Sequence, residues 1–316
     1  MLAFLRQRWF LFALVGALTA GLTWPKAMAH VARWLPGEVL LAVVTWVMAL
    51  PLETGALWRA VRRPGPAWLA TGLNSGVAPP LGWLASRSLP AELAVGVIVA
   101  VTVPCTLATA AVLTRRAGGN DAIAFLVTMI TNLTCFAVVP AWLWLLLGVH
   151  AQIEFAAIVV NLVAFVIVPI VMAQLMRQWR PLGAWTTKHI HALSAVAQGG
   201  VLLMVFAGSV SAGLRLHSNE HAAVVSGSNL AMMIGVVAVV HAVLLGMGFG
   251  LSRAMQLTTA DAIAVAMAGS QKTLMVGAYL ALSFPLAILP MVAYHASQLV
   301  IDTLVADWFR ERSMHR

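Results

Sequence analysis

Acidic residues are scarce. Ten aspartates and glutamates stand against nineteen lysines and arginines, and charged residues make up only 9% of the chain. Few of them fall deep inside apolar runs, which speaks against an enzyme built on converging carboxylates or on a nucleophile with its base. Cysteine is nearly absent: Cys105 and Cys135 both lie within apolar runs, so neither a disulfide framework nor a zinc site is expected. The nine histidines form no metal-ligating pattern, and His189 and His191 fall near a segment end as interfacial residues do. No P-loop or other nucleotide motif is present, so primary energisation by this chain is not expected. No polar stretch is long enough for a soluble domain. The formal charge of +9 is scattered between apolar runs rather than gathered in a patch, so nucleic acid is not the expected partner.

What is abundant is apolar sequence. Hydrophobic residues reach 61% and the mean hydropathy is +0.93, the composition of a polytopic membrane protein whose partner is the lipid bilayer. Ten apolar segments can be drawn, at 9–24, 37–57, 66–85, 89–114, 120–148, 153–175, 190–214, 222–250, 259–283 and 286–308. Most reach the roughly 20 residues a spanning helix needs. With both termini cytoplasmic, only Lys26, Arg33, Arg87 and Arg215 fall outside. Every other lysine and arginine except Lys272 falls inside, the asymmetry expected of an inner-membrane protein with ten spans. A competing reading takes Arg6, Arg8 and the first apolar run as a secretory signal cleaved after Ala27-Met28-Ala29, leaving nine spans. The two-halves symmetry described next needs the first helix and favours ten.

Lys272 lies near the middle of the ninth segment, within Gly269-Ser270-Gln271-Lys272-Thr273. An ammonium at the bilayer centre costs at least about 2.5–3.5 kcal/mol, so it is expected to face a polar cavity or a partner. The fourth segment is broken in the same way by Pro104-Cys105-Thr106-Leu107-Ala108-Thr109. These are corresponding positions if the chain, a single membrane transport domain over 1–316, consists of two five-helix halves, 1–150 and 151–316. Five is odd, so the second half is inverted relative to the first, and paired broken helices point to a transport site at the midplane.

At these residues the chain resembles the bile acid:sodium symporter superfamily, in its SBF-like bacterial branch. Gly269-Ser270-Gln271-Lys272-Thr273-Leu274 is similar to that branch's ninth-helix signature, and Pro104-Cys105-Thr106-Leu107 with Thr114-Arg115-Arg116-Ala117-Gly118-Gly119-Asn120 to its fourth-helix segment. Leu52-Glu53-Thr54 before Arg62-Arg63, and Pro79-Pro80-Leu81-Gly82, resemble its second and third helices. The resemblance implies an all-α fold of ten transmembrane helices in which a panel domain faces a core domain. In that core the fourth and ninth helices unwind, cross and build the ion and substrate site. It also exposes departures. The glutamate of the sodium-coupled members falls on Met267 and their glutamine-asparagine pair on Gln271-Lys272. Their fourth-helix serine-asparagine pair falls on Ala110-Ala111 or, in the other register, on Thr109-Ala110. A threonine is kept at Thr128, and the third-helix glutamine position carries Asn74. A hard cation wants several oxygens and usually a carboxylate, so Lys272 is expected to take the electrostatic place of a sodium ion.

The expected function is a secondary transporter of a small organic anion, a carboxylate or sulfonate drawn by Lys272 and by helix N-termini. Coupling is left open between sodium and a proton carried on Lys272. The residues expected at the site are Lys272, Gln271, Ser270 and Thr273 from the ninth helix, and Thr106 and Thr109 from the fourth. Thr128 and Asn132 join them from the fifth, Asn74 from the third, and His295 with Gln298, three apart on one face, from the tenth. No catalytic residue, metal or cofactor is expected. Glu53 reads as an interfacial carboxylate near Arg59 or a gate, and Thr131 as glue or ligand. Asn161, Gln198, Asn229 and His241 read as packing residues. Asp302 and Asp307 are expected to pair with Arg310 and Arg312 near a membrane surface. Two other readings are a non-transporting regulator on a transporter scaffold and a lipid-modifying enzyme.

Overall fold

The structure, a computed structural model, describes residues 2–52, 64–107, 109–148, 154–217 and 224–314. Among them all regular structure is helical. The helices are α1 (Leu2–Thr23), α2 (Pro25–Arg33), α3 (Gly37–Ala49), α4 (Gly65–Thr71), α5 (Ala78–Ala85), α6 (Ala91–Thr102), α7 (Thr109–Arg116) and α8 (Asp121–Leu147). The second half carries α9 (Phe155–Leu162), α10 (Val168–Arg177), α11 (Arg180–Lys188), α12 (Ile190–Leu216), α13 (Gly227–Ala254), α14 (Thr259–Ser270), α15 (Leu274–Leu280) and α16 (Ile288–Met314). Glu53 and its partner Arg59 lie outside the described residues.

Five stretches are each long and apolar enough to cross a bilayer: Asp121–Leu147, Phe155–Arg177, Ile190–Leu216, Gly227–Ala254 and Ile288–Arg312. The pair Trp9–Thr23 and Pro25–Arg33 is long and apolar enough only when its two helices are taken together, and it turns through 111° at Trp24 because Pro25 cannot continue the helix before it. The first helix is part of the fold, since α1 packs along α12 through small residues. A Cβ added at Gly21 would lie 2.5 Å from Ser209 Cβ, and one at Gly213 2.6 Å from the Gly21 carbonyl oxygen. Close backbone approach of this kind is how membrane helices gain dispersion contacts without a hydrophobic driving force. The short α11 falls where the sequence shows only a connection.

Three interruptions position the site. The third segment is continuous but widens into a π-helical turn over Gly72–Val77, where Ala78 N–H donates to the Leu73 carbonyl five residues back. In that register the Asn74 carbonyl would pair with residue 79. Pro79 has no N–H, so the carbonyl is left for another donor. The fourth segment stops at Thr102, where Val103 (φ −66°, ψ 155°) is extended, as the residue before Pro104 must be. It resumes at Thr109. The ninth segment stops at Ser270, with Gln271 and Thr273 both extended, and resumes at Leu274. Both breaks expected from the sequence are therefore present, and they meet: Thr273 N–H donates to the Pro104 carbonyl at 2.8 Å. The loop after α7 docks on the start of α14 through Asn120 N–H to the Ala260 carbonyl (2.9 Å) and Asn120 Nδ2 to Asp261 Oδ1 (2.9 Å). Gly118 takes φ +77° in that loop, a conformation that favours glycine.

Candidate functional site

A backbone that leaves its helix at membrane depth must have each N–H and C=O satisfied by protein or by a cavity. Four consecutive carbonyls of the first break are satisfied by side chains or by the second break. Val103 O accepts from Lys272 Nζ at 3.1 Å and Pro104 O from Thr273 N–H. Cys105 O accepts from Asn132 Nδ2 at 2.9 Å, and Thr106 O lies 3.1 Å from Thr128 Oγ1. Thr131 Oγ1 accepts the Cys105 N–H at 3.2 Å. The second break is held as completely. Gln298 presents its amide to the Lys272 backbone like a neighbouring strand, with Oε1 accepting from the N–H at 2.9 Å and Nε2 donating to the C=O at 3.0 Å. Asn74 Nδ2 donates to Gln271 O at 2.8 Å, and Tyr294 OH donates to Ser270 O at 2.9 Å.

Lys272 is 1% exposed, and its ammonium sits among three oxygens: Asn74 O at 2.6 Å, Asn74 Oδ1 at 3.2 Å and Val103 O at 3.1 Å. The shortest of these is the carbonyl that Pro79 leaves unpaired, and the third is released by the break before Pro104. The ammonium thus joins the π turn of the third segment to the broken fourth. It does not line the cavity, which corrects the expectation that it meets the solute directly. Met267, on which the resemblance places a glutamate of the sodium-coupled members, is 1% exposed and packs in an apolar cluster with Leu113, Ile263 and Ala306.

Gln271 organises the rest. Its Oε1 accepts from Thr106 Oγ1 at 2.9 Å and lies 3.1 Å from Thr109 Oγ1, while Nε2 donates to Asp302 Oδ2 at 2.7 Å. Asp302 is fully buried and its other oxygen, Oδ1, lies 2.8 Å from His241 Nε2. Two expectations are corrected here. Asp302 is not an interfacial partner of Arg310 or Arg312 but a second deep charge, and His241 is its partner rather than packing. Asp307 pairs with Arg116, at 2.6 Å. The Ser270 hydroxyl is spent on its own helix, donating to Ala266 O at 2.8 Å.

Beside this network lies a cavity of about 690 Å³. Thr106, Thr109, Thr273 and His295 line it, together with Phe10, Met48, Val201, Met275 and Leu299. Gln198, expected to be a packing residue, also borders it, as do Arg116 and Arg310. The eleven expected residues are all gathered at the two breaks, yet only four face the cavity; Asn74, Thr128, Asn132, Gln271, Lys272 and Gln298 hold the breaks open. Among the described residues no cluster of histidine, cysteine, aspartate and glutamate is arranged to hold a metal. Nothing local in the sequence pairs Asp302 with His241, since 61 positions separate them. Nothing in the sequence points Arg116 or Arg310 at a cavity.

The sequence profile of the SBF-like CPA transporter family matches residues 8–311. Among individual relatives, sodium/bile acid cotransporter 7 of Rattus norvegicus is 22% identical over 328 residues, covering 98% of this chain and 95% of its own length. A chloroplastic protein of Oryza sativa subsp. japonica named as a sodium/metabolite cotransporter is 27% identical over 248 residues, 72% of this chain and 57% of its own. An uncharacterized protein of Pseudomonas aeruginosa is 26% identical over 231 residues, 70% of this chain and 67% of its own. The chain thus spans about two thirds of the Pseudomonas relative and little more than half of the plant one.

Proposed function

This chain belongs to the SBF-like CPA transporter family, and from that premise we propose that it is a secondary transporter carrying a small organic anion across the inner membrane without sodium. The family is one of transporters, which sets the enzyme reading aside. In this reading the chain forms ten spans in two inverted five-helix halves, 1–150 and 151–316, with both termini cytoplasmic. The cavity of about 690 Å³ between the broken helices is the observation that carries it. The Thr273 hydroxyl suits the acceptor oxygens of a carboxylate or sulfonate, while those of Thr106 and Thr109 donate within the network to Gln271 and to each other, and Phe10, Met48, Val201 and Leu299 suit an apolar body. Arg116 and Arg310 at its border favour negative charge.

The relatives' names mention sodium, but the residues here do not fit that ion. The position nearest the break already holds an ammonium among three oxygens, the glutamate position is an apolar methionine, and an added cation would be repelled by Lys272. The test is reconstituted protein screened for thermal stabilisation by a panel of organic anions (cholate, benzoate and naphthalene sulfonate among them), followed by uptake of the best stabiliser into proteoliposomes. The expected result is uptake equal in sodium and choline buffers. Binding without any flux would instead favour the regulatory reading.

A further inference from the structure

Behind the network lies a buried histidine that does not line the cavity. His241 is completely buried, and both of its ring nitrogens face acceptors: Nε2 lies 2.8 Å from Asp302 Oδ1 and Nδ1 lies 3.3 Å from the Ser270 carbonyl. A neutral imidazole has one N–H and one lone pair, so it satisfies only one of these contacts while Asp302 is ionised. Satisfying both takes two protons on the pair. Either both ring nitrogens carry one, or Nδ1 carries one and the aspartic acid donates the other to Nε2. Loss of a proton leaves a lone pair on Nδ1 directed at the Ser270 carbonyl, which keeps its bond from Tyr294 OH at 2.9 Å. It also leaves a net negative charge on the pair. Ser270 is the last residue of α14, so the contact that weakens is the one that holds α13 to the edge of the break.

We propose that the His241–Asp302 pair is the binding site of an exchangeable proton, the coupling ion of this transporter, and that Gln271 reports its presence to the cavity floor. The amide of Gln271 lies between Asp302 and the hydroxyls of Thr106 and Thr109, and both threonines line the cavity. Nε2 faces Asp302 while that carboxylate accepts, which fixes Oε1 toward the threonines and makes them donors. In either protonated form the proton sits on Nε2 or Oδ1, so Oδ2 still accepts from Gln271 and the amide keeps this orientation; what the proton changes is the net negative charge behind that bond, and so the polarity Gln271 passes to the threonines. The proton therefore sets the net charge behind the cavity floor that an anion meets. Reciprocally, an anion beside Thr106 and Thr109 favours the state with the extra positive charge, so proton and anion bind together.

The other charged and titratable groups around the pair are few. From α16 come Tyr294, His295 and Asp307, the last paired with Arg116, and farther along Arg310, Glu311 and Arg312; α13 itself brings Arg253 in its last turn, and the two breaks bring Lys272 and Cys105. α4 and α5 bring none, α6 brings only Glu92 in its first turn, and α14 only Asp261, bonded to Asn120 at the opposite end of that helix.

The direction of coupling rests on the transporter reading, whereas the proton site does not, and one experiment separates them. Full-length protein carrying 15N-histidine, amide-15N-glutamine and 13C-aspartate is measured in lipid bilayers by solid-state NMR across pH. His241 is picked out by its contact with a labelled carboxylate. The expected result is that its Nδ1 resonance changes from protonated to unprotonated as pH rises, and that the Gln271 amide shifts with the same midpoint. In Asp302→Asn the response of Gln271 is lost. A single protonation state of His241 throughout, or a Gln271 amide indifferent to it, overturns the proposal. In proteoliposomes a pH gradient should drive accumulation of cholate by the wild type and not by Asp302→Asn. If none of the anions moves, the transporter reading fails while the NMR result still decides the proton site.

Discussion

At the scale of the residue, the depth of Lys272 was legible and its direction was not. A charge in the middle of an apolar segment needs an acceptor, but nothing in the local pattern tells a substrate from a backbone carbonyl. Here the acceptors are backbone and amide oxygens, exposed by a π turn and a helix break far away in sequence. One consequence is chemical. An amine-acylating reagent on the folded protein should modify the exposed Lys26 and Lys188 and leave Lys272 unlabelled, read by mass spectrometry of the digest. Labelling of Lys272 that an organic anion blocks would restore it to the cavity wall. Gln298 is the second residue whose role the sequence hid, since its position beside His295 gave only a shared face. Gln298→Leu strips both backbone partners from Lys272 and should cost about 2–4 kcal/mol, from two buried groups left unpaired. Gln298→Glu keeps the acceptor and should fall between. Thermal unfolding in detergent ranks the three, and a leucine variant as stable as the wild type would contradict the assignment.

At the scale of the element, proline and small polar residues announced the two broken helices, and both are broken where expected. The π turn at Gly72–Val77 was less visible, although Pro79-Pro80 carries its cause. Two prolines remove the N–H groups that would have closed the ladder, and the freed carbonyls of Asn74 and Ser75 are taken by Lys272 Nζ (2.6 Å) and Trp142 Nε1 (2.7 Å). Replacing a proline inside an ordinary helix restores a hydrogen bond. Pro79→Ala should do the opposite here, because its new N–H competes with the ammonium for the Asn74 carbonyl. A lost charge-assisted bond of this kind is worth about 1.5–3 kcal/mol, so a lower unfolding temperature is expected, and a higher one would show that Lys272 does not depend on that oxygen. Asp302 was misread for a reason at this scale. Arg310 and Arg312 follow it closely, but α16 runs on to Met314 and keeps Asp302 fully buried beside His241 and Gln271.

At the scale of the whole molecule, the proposed ten spans and their orientation rest on charge asymmetry rather than on helix length. Several segments are built from short or bent pieces, such as Ala91–Thr102 with Thr109–Arg116, so among the described residues five helices pass as spans by themselves, or six if the bent pair is joined. The break that makes a site also hides a span. Reporter fusions at His217 should read periplasmic and fusions after Arg316 cytoplasmic, and a periplasmic C-terminus would undo the inverted halves. The central claim is that a fixed ammonium occupies the place of a coupling sodium. Equilibrium binding of radioactive sodium to purified wild-type protein, with and without a stabilising organic anion, tests it directly. The account predicts no saturable sodium binding in either condition; saturable binding that strengthens with the anion would contradict it.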